Sequence, residues 1–282
     1  MNTKPSTPSK YNKEDVLTTS IQGIIHDGNN PRIYAWIFYL SKKTNLLFLI
    51  NVICVIAGGI VRIAYCFNYP VPVRDSYVYY DLIEKWNRTG EIPLDKVIPP
   101  LGLYLLRMPC HLLFCDIIKG SICINIILSL STIVVFIVLS SKILKSNALL
   151  LLCGIMFASH PRLVQYSCQA TRETSYLFFT CNALFIILYY VKTCRVWYLV
   201  LSGVLACCAI MCRYEGFESF VICFFCILLA QNTKLSIKRR LQNCGIFILS
   251  YIACFFLIMR MFDISPMFYH HVLWVAMRTT TL

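Results

Sequence analysis

Hydrophobic positions along this chain neither alternate nor recur once per helical turn. They come in unbroken runs separated by short segments carrying Lys and Arg. Runs that are apolar all round read as helices whose solvent is lipid. The first covers residues 45–67, long enough to cross a hydrocarbon core of roughly 30 Å. Others fall near 120–141, 148–159, 174–191, 197–211, 217–230 and 242–262. The expected fold is therefore all-α, a polytopic transmembrane helical bundle of about seven spans. Several runs hold only roughly 12 to 15 apolar residues, a length shared by spans, re-entrant half-helices and helices buried by their neighbours, which leaves the count open by about two. The stretch 101–115 is interrupted by Pro109 and carries Arg107, so it reads as an interfacial helix rather than a span. Three regions result: a polar tail over 1–44, a membrane domain over 45–262 with an outer-face loop of interfacial helices (68–115) between spans 1 and 2, and a short outer-face tail over 263–282.

The loops orient the bundle. Lys42 and Lys43, Lys142 and Lys145, Lys192 and Arg195, and Lys234, Lys238, Arg239 and Arg240 fall on one face. That face is expected to be cytoplasmic, together with the N-terminus. Every acidic residue beyond the tail, from Asp75 through Glu173 and Glu215 to Asp263, then falls on the opposite face. Arg74, Arg88, Arg107, Arg162, Arg172 and Arg213 share that outer face against the usual bias, and so call for a local reason.

Composition narrows the class further. With 58% hydrophobic and 14% charged residues, the chain cannot clothe a soluble globule. The net charge of +13 is scattered between apolar runs instead of forming one stripe, which argues against a nucleic-acid partner. Most of the 16 cysteines lie inside the runs, where Cys acts as a small apolar residue. No His, Cys or carboxylate spacing resembles a zinc site. The first forty-odd residues lack the apolar core of a cleavable signal peptide.

Four segments of the outer face could carry chemistry. Arg74–Trp86 reads as an amphipathic helix ended by Gly90, with Asp75 at its start. The positive end of a helix keeps such a carboxylate ionised and able to accept a proton, although a plain N-cap is the simpler reading. Tyr77, Tyr79, Tyr80 and Trp86 suit an interfacial aromatic belt equally well. Pro99-Pro100-Leu101 forms a turn into an interfacial helix. Gln169–Ser175 leads into a span with Glu173 at the lip of the membrane, where a carboxylate faces a cavity or a partner such as Arg162 or Arg172. Arg213 and Glu215 occupy a tight turn, where opposite charges often form a solvated pair of small consequence.

The order of these elements resembles the GT-C membrane glycosyltransferases, and among them the bacterial enzymes related to protein mannosyltransferases. The resemblance covers roughly 45–262 and rests on one span, an Asp75-led outer helix, Pro99-Pro100-Leu101, a helix pair, the Thr171-Arg172-Glu173 lead-in to a span, and the Arg213-x-x-Gly216 turn. It implies transfer of a sugar from a polyprenyl-phosphate carrier to a lipid, glycan or protein acceptor on the extracytoplasmic face of a bacterial inner membrane, with no cofactor. Asp75 matches the acidic residue of the family's first outer loop and Glu173 the glutamate at the entry to its fourth span, and the resemblance implies a catalytic role for both. Arg74, Arg162, Arg172 and Arg213 become candidates to hold the carrier phosphate, with Tyr79, Pro100 and Glu215 lining the substrate site. Family members are usually longer, so the chain is read as shortened at its C-terminus, and the residues around His270-His271 match no catalytic element. Two other classes stay open: a lipid or solute transporter, and a non-catalytic relative retaining only the helical scaffold.

Overall fold

A computed structural model describes residues 31–68, 74–93, 99–112, 116–229 and 236–264, with side chains from residue 45 onward except at 74 and 110–112. The polar tail over 1–30, the Arg74 side chain, Lys234 and the segment 265–282 with its His270-His271 pair lie outside the described residues. The chain divides after Phe48 into two compact units, 1–48 and 49–282. All contacts below lie within the second.

The described residues form helices and no strand. In chain order they are α1 (Pro31–Asn68), α2 (Arg74–Thr89), α3 (Pro100–Leu112), α4 (Ile117–Ser140), α5 (Asn147–Ser159), α6 (Pro161–Ser167), α7 (Glu173–Thr193), α8 (Val196–Cys212), a single 3-10 turn (Tyr214–Gly216), α9 (Phe217–Leu229) and α10 (Ile237–Met261). Where water is absent a helix satisfies its own backbone, which is why the apolar runs take this form. Polar residues set the ends. Asp116 accepts from the amides of Ile118 and Lys119 at 2.8 and 3.3 Å to start α4, and Ser146 and Ser236 cap α5 and α10. Pro161 lacks an amide and holds His160 out of helical geometry, so α5 and α6 meet at a 50° bend.

Among the described residues four helices are long and apolar enough to cross a membrane: Asn45–Asn68, Ile117–Ser140, Glu173–Thr193 and Ile237–Met261. The bent α5–α6 pair brings the number to five if it counts as one span. The remaining expected runs form the shorter α8 and α9. At 1.5 Å per residue, the 17 residues of α8 extend only about 26 Å. Large apolar side chains such as Ile56, Ile60, Leu249, Phe256 and Leu257 are exposed on the long helices, as lipid-facing positions must be.

The core is a packed group of α7, α8, α9 and α10 around Ala183, Ile187, Leu199, Ala206, Ile227 and Phe247. Gly203 lets α8 and α10 close together, for a Cβ there would stand 2.1 Å from Ser250 Oγ. A second layer seats α2 on α3 through Leu82, Ile83, Leu103 and Leu106. Trp86 packs within 6.3 Å of Tyr104 and 6.2 Å of Phe262, which follows α10.

These contacts define two ends. At one, Lys142 stands over the Tyr189 ring, Asn243 donates to Tyr190 Oη at 2.6 Å, and Arg240 reaches the Leu228 carbonyl. The other holds α2, α3, the start of α4, the α6–α7 connection, the α8–α9 turn and the end of α10. Asp75, Asp81, Glu84, Glu91, Asp116, Glu173, Glu215, Glu218 and Asp263 all belong to this acidic end.

Candidate functional site

The acidic end is organised by α4. Ser121, Asn125, Ser129 and Thr132 recur at helical spacing on its buried side, and three of them engage neighbouring segments. Ser121 donates to the Leu106 carbonyl of α3 at 3.1 Å. Asn125 Nδ2 donates to the carbonyls of Gln169 and Thr171 at 2.6 and 2.9 Å, pinning the buried connection between α6 and α7. Ser129 Oγ accepts from Arg62 Nε and Nη2 at 3.1 and 2.6 Å. Arg62 is 1% exposed and also donates to the carbonyls of Gly58 and Ala158.

The pinned connection presents Arg172 and Glu173. Arg172 Nε donates to Tyr79 Oη at 2.9 Å, its guanidinium lies 5.0 Å from the Tyr79 ring centroid, and Nη1 reaches the Cys212 carbonyl at 3.4 Å. Its aliphatic stem runs beside Gly102 of α3, where a Cβ would stand 3.1 Å away. Glu173 opens α7, and its Oε1 is bonded to Arg213 Nη1. Arg213 Nε also bonds Glu215 Oε2 at 2.9 Å. The turn that carries them can sit this low because Gly216 has no side chain, a Cβ there falling 2.4 Å from the Ala209–Ile210 backbone.

The electrostatics follow from this packing. Burial works against the charged guanidinium of Arg213, but the hydrogen bond to Glu215 and the charge of Glu173 outweigh it and push its pKa up. For Glu215, burial raises the carboxyl and the Arg213 hydrogen bond more than reverses that, so its pKa is lowered. Burial holds the Tyr79 phenol above its usual value in spite of the Arg172 charge beside it.

Of the residues expected at the site, Tyr79, Arg172, Glu173, Arg213 and Glu215 come together. Asp75 is exposed in the first turn of α2, one turn before Tyr79 on the same face, and its charge reaches the Tyr79 hydroxyl. Pro100 is buried at the start of α3, two residues before Gly102. Arg162 is not part of the cluster: it is exposed on α6 and donates to Gln165 of its own helix at 3.2 Å. The partner of Glu173 is Arg213 rather than Arg162 or Arg172.

Two contributors escaped the sequence reading. Asn125 lies inside an apolar run, and Arg62 inside the first span, where an ionisable residue is itself a signal. Several buried oxygens here have no hydrogen-bond partner among the described residues, namely Ser76 Oγ, Asn125 Oδ1, Gln169 Oε1, Glu173 Oε2, Thr174 Oγ1 and Ser175 Oγ. Beside Ser129, Thr132, Tyr166 and Thr174 a cavity of about 10 Å³ has room for about one water molecule. Among the described residues no group of His, Cys, Asp and Glu could hold a metal ion.

Comparison with known protein families, with curated proteins and with solved structures finds no match.

Proposed function

We propose that this chain is a membrane glycosyltransferase that moves a sugar from a polyprenyl-phosphate carrier to an acceptor at the acidic end of its bundle. The observation that carries the reading is the Arg172–Glu173–Arg213 group. It sets two guanidinium groups beside a carboxylate whose second oxygen has no hydrogen-bond partner among the described residues. A guanidinium pair suits a phosphate that gains charge as it leaves, because each planar fork can match two phosphate oxygens. Glu173 Oε2 would accept from a sugar hydroxyl. Asp75, exposed in the first turn of α2, would take the proton of the acceptor hydroxyl as its oxygen bonds the anomeric carbon and the carbon–phosphate oxygen bond breaks. The phosphate leaves on its carrier and the proton resides on Asp75, so the step balances without a cofactor.

The orientation belongs to the same proposal. Lys142, Lys145, Lys192, Arg195, Lys238, Arg239 and Arg240 gather at the end away from the acids, which favours a cytoplasmic basic end and an extracytoplasmic site. Counting α5–α6, α8 and α9 with the four long helices gives seven crossings of alternating direction.

Binding of polyprenyl phosphate to the detergent-solubilised full chain tests this reading. Arg172→Ala and Arg213→Ala are expected to weaken it at least tenfold, and Lys142→Ala at the other end to leave it unchanged. Equal binding by all variants would argue against a phosphate site in this cluster.

A further inference from the structure

Fourteen of the cysteine side chains are described, all as free thiols, and seven of them are buried. Cys207, Cys208 and Cys254 come together between α8 and α10, inside the packed bundle and away from any water-borne oxidant. A different pair stands at the acidic end. Cys66 is half-buried near the end of α1, and Cys168 is the buried residue that closes α6. Cys168 Sγ donates to the Arg62 carbonyl at 3.3 Å. In an α-helix that carbonyl belongs to the same face as the residue four places on, which here is Cys66. Cys168 therefore packs against the face of α1 that carries Cys66.

We infer that Cys66 and Cys168 form a disulfide that fastens the end of α1 to the buried connection preceding α7. The inference rests on the orientation proposed above, which places this end in an oxidising compartment, and not on the transferase activity. The oxidant is a protein or small molecule already carrying a disulfide. Cys66, the more exposed, attacks one of its sulfurs as the thiolate, forming a mixed disulfide and expelling one oxidant thiolate. The Cys168 thiolate then attacks Cys66 Sγ and expels the second. The protein loses two protons and two electrons, and the electrons reduce the oxidant's disulfide to two thiols.

The position gives the bond a purpose. Cys168 leads directly into Gln169–Thr171, the segment that Asn125 pins and that presents Arg172 and Glu173. Arg62 already ties this region of α1 to α4 and α5 through Ser129 and Ala158. A covalent link from Cys66 would make α1 a fixed wall behind the candidate site.

The test uses the full chain in its membrane, alkylated before any reductant is added and then digested for peptide mapping. The expected result is a Cys66–Cys168 linked peptide that separates on reduction, with Cys168 recovered as an alkylated thiol in Cys66→Ser. A membrane-impermeant maleimide applied to reduced, right-side-out vesicles reports the orientation separately and is expected to label Cys66 in Cys168→Ser. Recovery of both residues as free thiols in the unmodified chain would overturn the inference. Labelling of Cys66 from outside would then locate the fault in the pairing, and labelling only after permeabilisation would locate it in the orientation.

Discussion

Arg172 Nε donates to Tyr79 Oη at 2.9 Å, joining the lead-in of α7 to the face of α2 that also carries Asp75. The contact is both a charge-assisted hydrogen bond and a cation–ring contact at 5.0 Å. Tyr79→Phe keeps the ring and removes the oxygen, so the cost should be about 1.5 kcal/mol, while Tyr79→Ala, which also empties a buried space, should cost about 3–5 kcal/mol. Thermal unfolding in detergent measures both. Equal midpoints for the two variants would show that the ring contributes nothing to the junction.

Arg213 is shared unequally by its two carboxylates. The Glu173 side chain is 16% exposed and that of Glu215 is 49% exposed. Glu173→Gln should therefore cost about 1–3 kcal/mol and Glu215→Gln less than about 1 kcal/mol. Because both act on one guanidinium, the double substitution is expected to depart from the sum of the singles. A double-mutant cycle on unfolding midpoints reads this directly.

Acid should loosen the same turn. The folded pKa of Glu215 lies below its unfolded value, so its contribution is present above the ordinary glutamate pKa of about 4.3 and is lost as pH falls through the lowered folded value. The unfolding midpoint of the full chain should decline below about pH 4, and the decline should be shallower in Glu215→Gln. Half-exposure of the pair keeps the difference small. Identical profiles for the two proteins would remove Glu215 from the acid response.

Much of the fold was legible because lipid demands helices wherever apolar runs are long, and each expected span coincides with a described helix or a large part of one. The boundaries moved where a polar residue intervened, as at Asp116, which starts α4 before the apolar run begins. The stretch read as an interfacial helix is helical, and α3 continues through Pro109 from Pro100 to Leu112. The site was harder to read. Charge segregation picked out the end of the bundle at which Tyr79, Arg172, Glu173, Arg213 and Glu215 come together, but the partner of Glu173 depends on where α8 terminates, and pattern cannot give that. Arg62 and Asn125 vanished into apolar windows because one polar residue in twenty barely moves the mean, yet each pairs across a long stretch of sequence.

The buried Arg62 offers a test of that hidden layer. Arg62→Met fills similar volume but leaves the Ala158 carbonyl at the end of α5 without its donor, and is expected to cost about 1–3 kcal/mol. Ser129→Ala removes the shared acceptor and should cost about 1 kcal/mol. Since the two groups bond each other, the combined variant should lose less than the sum. Additive losses in the thermal midpoint would contradict the bonding that the structure shows.

The proposed chemistry is measured as transfer of radiolabelled sugar from polyprenyl-phosphate donors in membranes containing the full chain, with Asp75→Asn and Glu173→Gln alongside. The unmodified chain is expected to transfer sugar, and either variant to lose at least a hundredfold of that activity at unchanged membrane abundance. Full transfer by both variants would contradict the proposed site, and absence of transfer from every donor would contradict the proposed activity.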